Sequence, residues 1–132
     1  ALEWGARAVP SENGGFLQVS GLTYEIHTGV ASSAEKDENG MFTRVSGEYR
    51  VKNVMVGGQP LELDKTYTLA SHNYMLLGHG DGYTMFDGCE VLGEDMMVDN
   101  QVLITYITTT LGGVVGEQYG NPYGDGRIVA VE

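Results

Sequence analysis

The sequence is poor in the residues that build disulfide frameworks and metal centres. Of its 132 residues one is a cysteine, Cys89, and three are histidines. A single thiol excludes an internal disulfide framework and a cysteine-based zinc cluster. The histidines at 27, 72 and 79 do not have the spacing of a helical metal-binding motif. The sequence therefore predicts neither a metal site nor a catalytic group in this chain.

Positive charge is also scarce. Seven basic residues stand against 18 acidic ones, for a formal net charge of −11. Nucleic acids and anionic membranes require a basic surface, so this balance argues against both as partners. No apolar run reaches the length of a membrane-spanning helix, and no signal peptide is recognisable. The length and the 42% apolar content fit a single folded domain over residues 1–132.

Hydrophobic periodicity and turn residues predict an α+β domain with a mixed or antiparallel sheet and two main helices. Residues 1–9 have helical composition but follow no methionine and no N-cap, so we expect upstream sequence in a longer protein. Surface loops are predicted over 28–41 and 114–125. The predicted regular elements are a helix ending before Pro10, strands over 16–20, 22–27, 42–45, 49–56, 59–63, 66–71 (buried) and 126–131, and an amphipathic helix capped by Asp99 and ending at 112–113.

One carboxylate in residues 71–86 is flanked closely by glycines. Asp81 lies between Gly80 and Gly82, and glycine permits positive φ and close approach of another group. Tyr74 and Tyr83, on either side of Asp81, offer a flat ligand rings to stack on. The segment is predicted to be a binding loop. From these residues alone a plain turn remains open, because Asp-Gly is among the commonest turn dipeptides.

Four blocks of the sequence together resemble one protein family. They are similar, in order and spacing, to blocks in the C-terminal domain of the 5′-nucleotidase family, which includes periplasmic and ecto-nucleotidases, UDP-sugar hydrolases and 2′,3′-cyclic-nucleotide phosphodiesterases. The resemblance implies the fold of that domain and an extracellular, cell-surface or periplasmic location. The blocks are GGFLQVSGLTYEIH (14–27), VMVGGQPLELDKTYTLASHNYM (54–75), GHGDGYTMF (78–86) and DGRI (125–128).

The resemblance also implies a set of ligand contacts. In that family the C-terminal domain binds the base and ribose of a nucleotide. A separate N-terminal metallophosphoesterase domain, with two divalent metal ions, hydrolyses the phosphoester. By resemblance, Phe16 and Tyr74 stack on the base and Gln18 reaches its edge. Asp81 accepts hydrogen bonds from the ribose hydroxyls, which suits an ionised carboxylate. This chain would then recognise a nucleotide without hydrolysing it.

Two departures from the family leave other interpretations open. His79 stands where the family usually has the first of two glycines, and the upstream strand with substrate-binding arginines is not in the sequence. The alternatives are a non-catalytic interaction module that kept the fold, or a carbohydrate-binding module. A nucleotide site requires Phe16 and Tyr74 to face each other across a gap of about 7 Å, twice an aromatic contact distance. A domain without its first strands would also be expected to self-associate through an exposed sheet edge.

Overall fold

A computed structural model describes all 132 residues, which divide into two units. The first unit contains residues 1–87 and 126–132, and the second contains residues 88–125. Each is described by itself. The helices are α1 (Leu2–Gly5), α2 (Asn73–Leu76) and α3 (Asp99–Thr105), and the strands are β1 (Leu22–His27), β2 (Ala34–Lys36), β3 (Phe42–Val45), β4 (Val51–Val56), β5 (Gln59–Pro60) and β6 (Ile128–Val131).

The first unit is built on a four-stranded mixed sheet with the order β5-β4-β1-β6. β1 pairs antiparallel with β4 and parallel with β6, and β4 pairs antiparallel with β5. Gly57 and Gly58 form the predicted hairpin turn with φ values of 57° and 78°, as a two-residue turn of the favoured hand requires. The predicted α+β class with a mixed sheet is confirmed.

The core lies on one face of this sheet. Alternation along β1 buries Tyr24 and Ile26, which pack with Val51 of β4 and with Ala6 just after α1. Seven partly buried apolar residues surround this cluster, namely Leu2, Val9, Phe16, Val19, Leu22, Val54 and Ile128. The burial of one face of β1 is what its period-two pattern predicts.

A buried polar pair ties α1 to β4. The Glu3 carboxylate accepts hydrogen bonds from the backbone N–H groups of Arg50 at 3.1 Å and Val51 at 2.9 Å. The Arg50 guanidinium donates to the carbonyls of Ala6 at 3.2 Å and Val9 at 2.9 Å. Glu3 and Arg50 are 3% and 4% exposed. The Arg50 guanidinium thus satisfies carbonyls of the segment after α1, and the Glu3 carboxylate satisfies N–H groups at the start of β4.

Two predictions for the N-terminal half were wrong in their extent. The opening helix ends at Gly5 rather than before Pro10, and residues 6–10 form turns. Residues 28–41 are not all loop, because β2 pairs with β3 in a separate two-stranded sheet. The Asp37 carboxylate closes that hairpin by accepting from the N–H groups of Asn39 and Met41 at 2.9 and 2.8 Å. Aspartate is favoured in turns for this reason.

Two predicted strands are absent and three are shortened, among them those predicted over 49–56 and 126–131, which begin at Val51 and Ile128. Residues 16–20 form no strand, and the carbonyls of Leu17 and Val19 accept from the side chains of Tyr24 and Arg127 instead. Residues 66–71 are neither a strand nor buried, because no strand of the structure pairs with them. The return strand predicted over 59–63 shrinks to Gln59–Pro60.

The second unit is built around α3, which continues as a π-helical turn at Tyr106–Thr110. Asp99 is the first helical residue rather than the N-cap, which is Val98. The apolar side chains of α3 are exposed, so the predicted amphipathic face is not buried within the unit. A hydroxyl contact of 2.9 Å joins Tyr106 to Tyr119. None of the helices in the chain combines the length and the hydrophobicity needed to cross a membrane.

Candidate functional site

The turn around Asp81 presents its carboxylate to solvent while its backbone is held. Gly80–Gly82 form a 3-10 turn in which both glycines are buried and Asp81 is exposed. Asp81 adopts a left-handed conformation with φ 53° and ψ 20°. Aspartate is among the few non-glycine residues that tolerate this region. The side chain is thus accessible on a backbone that its neighbours fix in place.

His79 occupies a position whose backbone favours glycine. Its φ is 55°, in the left-handed region. Glycine reaches this region at no steric cost, which gives a physical reason for glycine being usual at this place in the resembling family. The His79 imidazole Nε2 lies 2.5 Å from Oδ1 of Asp87. The His79 side chain therefore pairs with Asp87, the residue that directly follows the segment 71–86.

Trp4 of α1 lies beneath the turn. Its indole Nε1 donates to the backbone carbonyl of Asp81 at 2.9 Å, and the side chain is 1% exposed. The ring makes an edge contact with Phe42, with centroids 5.6 Å apart. The Arg7 guanidinium lies 3.8 Å from the Trp4 ring centroid on a cation–π contact. Nothing in the loop sequence indicated this residue, since it lies 77 positions away in the chain.

Tyr83 joins the turn to the segment that carries Phe16. It is completely buried, and its hydroxyl donates to the Gly15 carbonyl at 2.6 Å. Gly15 in turn lies against the Asp81 side chain, because a Cβ placed on Gly15 would be 2.9 Å from the Asp81 Cβ and 3.3 Å from its Oδ2. The structure thus brings the backbone before Phe16 beside the Asp81 carboxylate.

The remaining site residues predicted from the sequence lie in different environments. The Tyr74 ring, carried by α2, lies directly against Gly80 and is 59% exposed. Phe16 is partly buried against the core cluster. Gln18 is exposed, and no strand places it on the same face as Phe16. Tyr74 therefore lies beside the turn that carries Asp81, and the Phe16 segment approaches the same turn through Gly15.

Burial raises the pKa of Tyr83, and that of Tyr24 in the core, to about 12. The neutral phenols contribute stability that is complete below pH 10 and is lost as pH rises through 12. In an absorbance titration, we expect Tyr24 and Tyr83 to ionise late. Tyr83→Phe should remove one late step, and ionisation of all tyrosines near pH 10 in the folded protein would contradict the burial.

A separate cavity of about 420 Å³ lies on the sheet, lined by residues of β1, β4, β5 and β6. None of the predicted site residues lines it. Its acidic group, Glu25, accepts hydrogen bonds from His27 at 2.9 Å and from Asn53 at 2.7 Å. Both bonds lower the pKa of Glu25, and the bond from His27 has the larger effect. The carboxylate is ionised and already paired, so the turn at Asp81 remains the better candidate site.

The residues of the chain do not form a metal centre. No group of three or more histidine, cysteine, aspartate or glutamate side chains is placed to hold a metal ion. Cys89 is free and exposed. The turn at Asp81 combines one exposed carboxylate, one open aromatic ring and two buried glycines.

The first unit is thus an α+β domain with a mixed sheet and an exposed acidic residue at the Asp81 turn. The sequence model of the family described as "5'-nucleotidase, C-terminal domain" matches residues 1–88. The chain therefore belongs to the 5′-nucleotidase C-terminal domain family. The match ends where the second unit begins.

One curated relative gives a more specific similarity. The chain is 42% identical over 57 residues to Protein UshA of Yersinia enterocolitica serotype O:8 / biotype 1B, which covers 43% of this chain and 10% of that protein. The chain thus matches about a tenth of its relative's length. No solved structure matches it significantly.

Proposed function

We propose that this chain recognises the base and ribose of a nucleotide on behalf of a parent 5′-nucleotidase or cyclic-nucleotide phosphodiesterase. The observation that carries the proposal is the Asp81 carboxylate, which is exposed on a turn whose two glycines are buried. An ionised carboxylate accepts from two donors at once, which matches the vicinal hydroxyls of a ribose. Family membership supports the same role.

Tyr74 supplies the base-binding surface in this proposal. Its ring lies against Gly80, next to Asp81, with more than half of its surface open. Stacking of a base on an aromatic ring contributes about 1–3 kcal/mol and depends little on which base it is. Phe16 and Gln18 complete the proposed site on the other side of Gly15. Phe16 would have to turn part of its ring away from the core to meet a base.

Phosphoester hydrolysis belongs elsewhere in the parent protein. The absence of a metal-binding group among these residues means that the family's two divalent metal ions do not fit this chain. We assign them to the N-terminal metallophosphoesterase domain of the parent, and a secreted, cell-surface or periplasmic location to the whole. The acidic net charge of −11 is compatible with that location.

A second candidate is a non-catalytic interaction module. The packing of Phe16 against the core cluster favours it, because a base sandwich needs that ring to be open. In that case the turn would keep its structure without binding a nucleotide. A carbohydrate-binding role for the same carboxylate and ring is distinguished by its ligand, because such a module would bind glucose and not adenosine.

Titration with adenosine tests the proposal. Saturable NMR shifts are expected at Tyr74, Phe16 and the amides of the Asp81 turn. Asp81→Asn keeps the side-chain shape and tolerates the left-handed backbone. It should weaken binding by about 10- to 100-fold, the worth of hydrogen bonds to a charged acceptor. Asp64→Asn, at an exposed carboxylate outside the turn, should bind as the wild type does.

The ligand can be varied in parallel with the protein. 2′,3′-Dideoxyadenosine should bind the wild type as weakly as adenosine binds Asp81→Asn, and the two changes together should cost no more than either alone. Absence of any shift at millimolar adenosine in the folded chain would refute the nucleotide site. Binding of glucose with no binding of adenosine would select the carbohydrate module instead.

A further inference from the structure

We infer that Trp4 is the positioning residue of the proposed ribose site, because its indole N–H sets the orientation of the Asp81 turn. This inference rests on the proposed function and adds a residue outside the loop to it. Trp4 touches no ligand in this scheme. It acts through the backbone of Asp81 and through Gly82.

The indole fixes the peptide that follows Asp81. Its Nε1 donates to the Asp81 carbonyl at 2.9 Å, and a Cβ placed on Gly82 would be 2.9 Å from the Trp4 Cζ2. The hydrogen bond to the Asp81 carbonyl and the close approach of Gly82 to the same indole together hold the peptide in place, with ψ of Asp81 at 20°. Since the left-handed conformation is unfavourable for a residue with a Cβ, an external contact is needed to maintain it. The direction of the carboxylate follows from that backbone.

Trp4 is itself immobilised. The Arg7 guanidinium lies 3.8 Å from its ring centroid, and Arg7 Nη1 donates to the Trp4 carbonyl at 2.7 Å. Phe42 packs on the ring edge with centroids 5.6 Å apart. A side chain that is 1% exposed and held on two sides provides a rigid donor for the Asp81 carbonyl.

The same network reaches the other side of the carboxylate. Asn13 donates from Nδ2 to the Gly5 carbonyl at 3.1 Å, directly after Trp4. Its Oδ1 accepts from the Gly15 N–H at 3.2 Å and from Arg7 Nη2 at 3.5 Å. Gly15 is the residue against which the Asp81 side chain lies. The helix α1 region therefore sets both the backbone of the carboxylate and the surface beside it.

The sole tryptophan permits a test of the hydrogen bond alone. Trp4→3-benzothienylalanine, introduced biosynthetically, keeps the bicyclic shape and replaces the N–H by sulfur. Adenosine affinity is expected to fall about five- to tenfold, the usual worth of one hydrogen bond in an equilibrium constant. In the ligand-free protein, the carbonyl ¹³C resonance of Asp81 and the amide of Gly82 should shift, because the carbonyl has lost its donor.

Ile26→Val is the stability control. It removes one methyl group from the core cluster and leaves the indole N–H and its contacts in place, so it should lower the unfolding midpoint and leave adenosine affinity unchanged. Unchanged Asp81 and Gly82 resonances in the benzothienyl protein, or unchanged affinity, would refute the inference. If the wild type binds no adenosine, the proposed function fails, and the ligand-free resonances still decide whether Trp4 positions the turn. Trp4→Phe, which also lacks the donor, should reproduce the resonance shifts.

Discussion

Arg50→Met is expected to lower the free energy of unfolding by about 3 kcal/mol, because buried carbonyls would lose charged donors and gain none. The guanidinium donates to Ala6, Val9 and, at 3.5 Å, Thr28. Methionine is unbranched and fills the space of the arginine stem as far as Nε. The loss therefore reports the buried guanidinium, with its hydrogen bonds and its packing. Urea denaturation followed by the fluorescence of the single tryptophan measures it.

Arg44→Met provides the same substitution at the surface. Arg44 is bonded to Glu35 at 2.7 Å, but its side chain is 71% exposed. Exposed ion pairs contribute little, so its effect should be far smaller than that of Arg50→Met. Equal effects of the two substitutions would show that the carbonyls near α1 do not depend on Arg50. Arg50 Nε has no hydrogen-bond partner, so the site tolerates one unsatisfied donor in the wild type.

The sequence predicted best the elements whose partners are close in the chain. The hairpin at Gly57 and Gly58 and the period-two burial of β1 appear in the structure as expected. These features depend on local turn geometry and on the alternation of apolar and polar residues, both of which are determined by residues close in the sequence. The mixed character of the sheet, which combines antiparallel β4 with parallel β6, was expected as a class.

Most of the wrong strand predictions concern segments whose structure depends on residues far away in the chain. Residues 66–71 have the β-branched and aromatic composition of a strand, yet no strand pairs with them. Strand propensity measures fit to a pleated, half-buried surface and cannot supply the neighbouring strand. The missed strand β2 is a different case, since its partner β3 is close in the chain and the Asp37 side chain closes the turn between them.

The candidate site shows the same division. The glycine-flanked Asp81 and the ring of Tyr74 are both recognisable from residues 71–86 alone. Trp4 and Gly15 were not predicted as parts of the turn's environment, because they reach it only through the folded core. The prediction of Tyr83 as a second stacking ring was wrong, because its side chain is buried and its hydroxyl donates to the Gly15 carbonyl.

Gly82→Ala should be the most damaging glycine substitution in the turn, at about 2–4 kcal/mol. Two causes act together. The φ of 82° is strained for any residue with a Cβ, and the added Cβ would lie 2.7 Å from the Gly40 carbonyl oxygen and 2.9 Å from the Trp4 Cζ2. The first obstacle is backbone and the second a buried ring, so neither can move away cheaply.

Gly21→Ala separates these causes. Gly21 has a similar φ of 76°, but an added Cβ would meet nothing within 4 Å. It should therefore cost only the backbone strain, about 1 kcal/mol. Urea denaturation gives both values, and their difference measures the contact of Gly82 with the β2–β3 turn and Trp4. Equal losses would mean that this contact does not hold the turn. If the turn is held against Trp4, Gly82→Ala should cause the larger loss of stability and should shift the Trp4 indole resonance. The Asp81 carboxylate would then be displaced together with the turn.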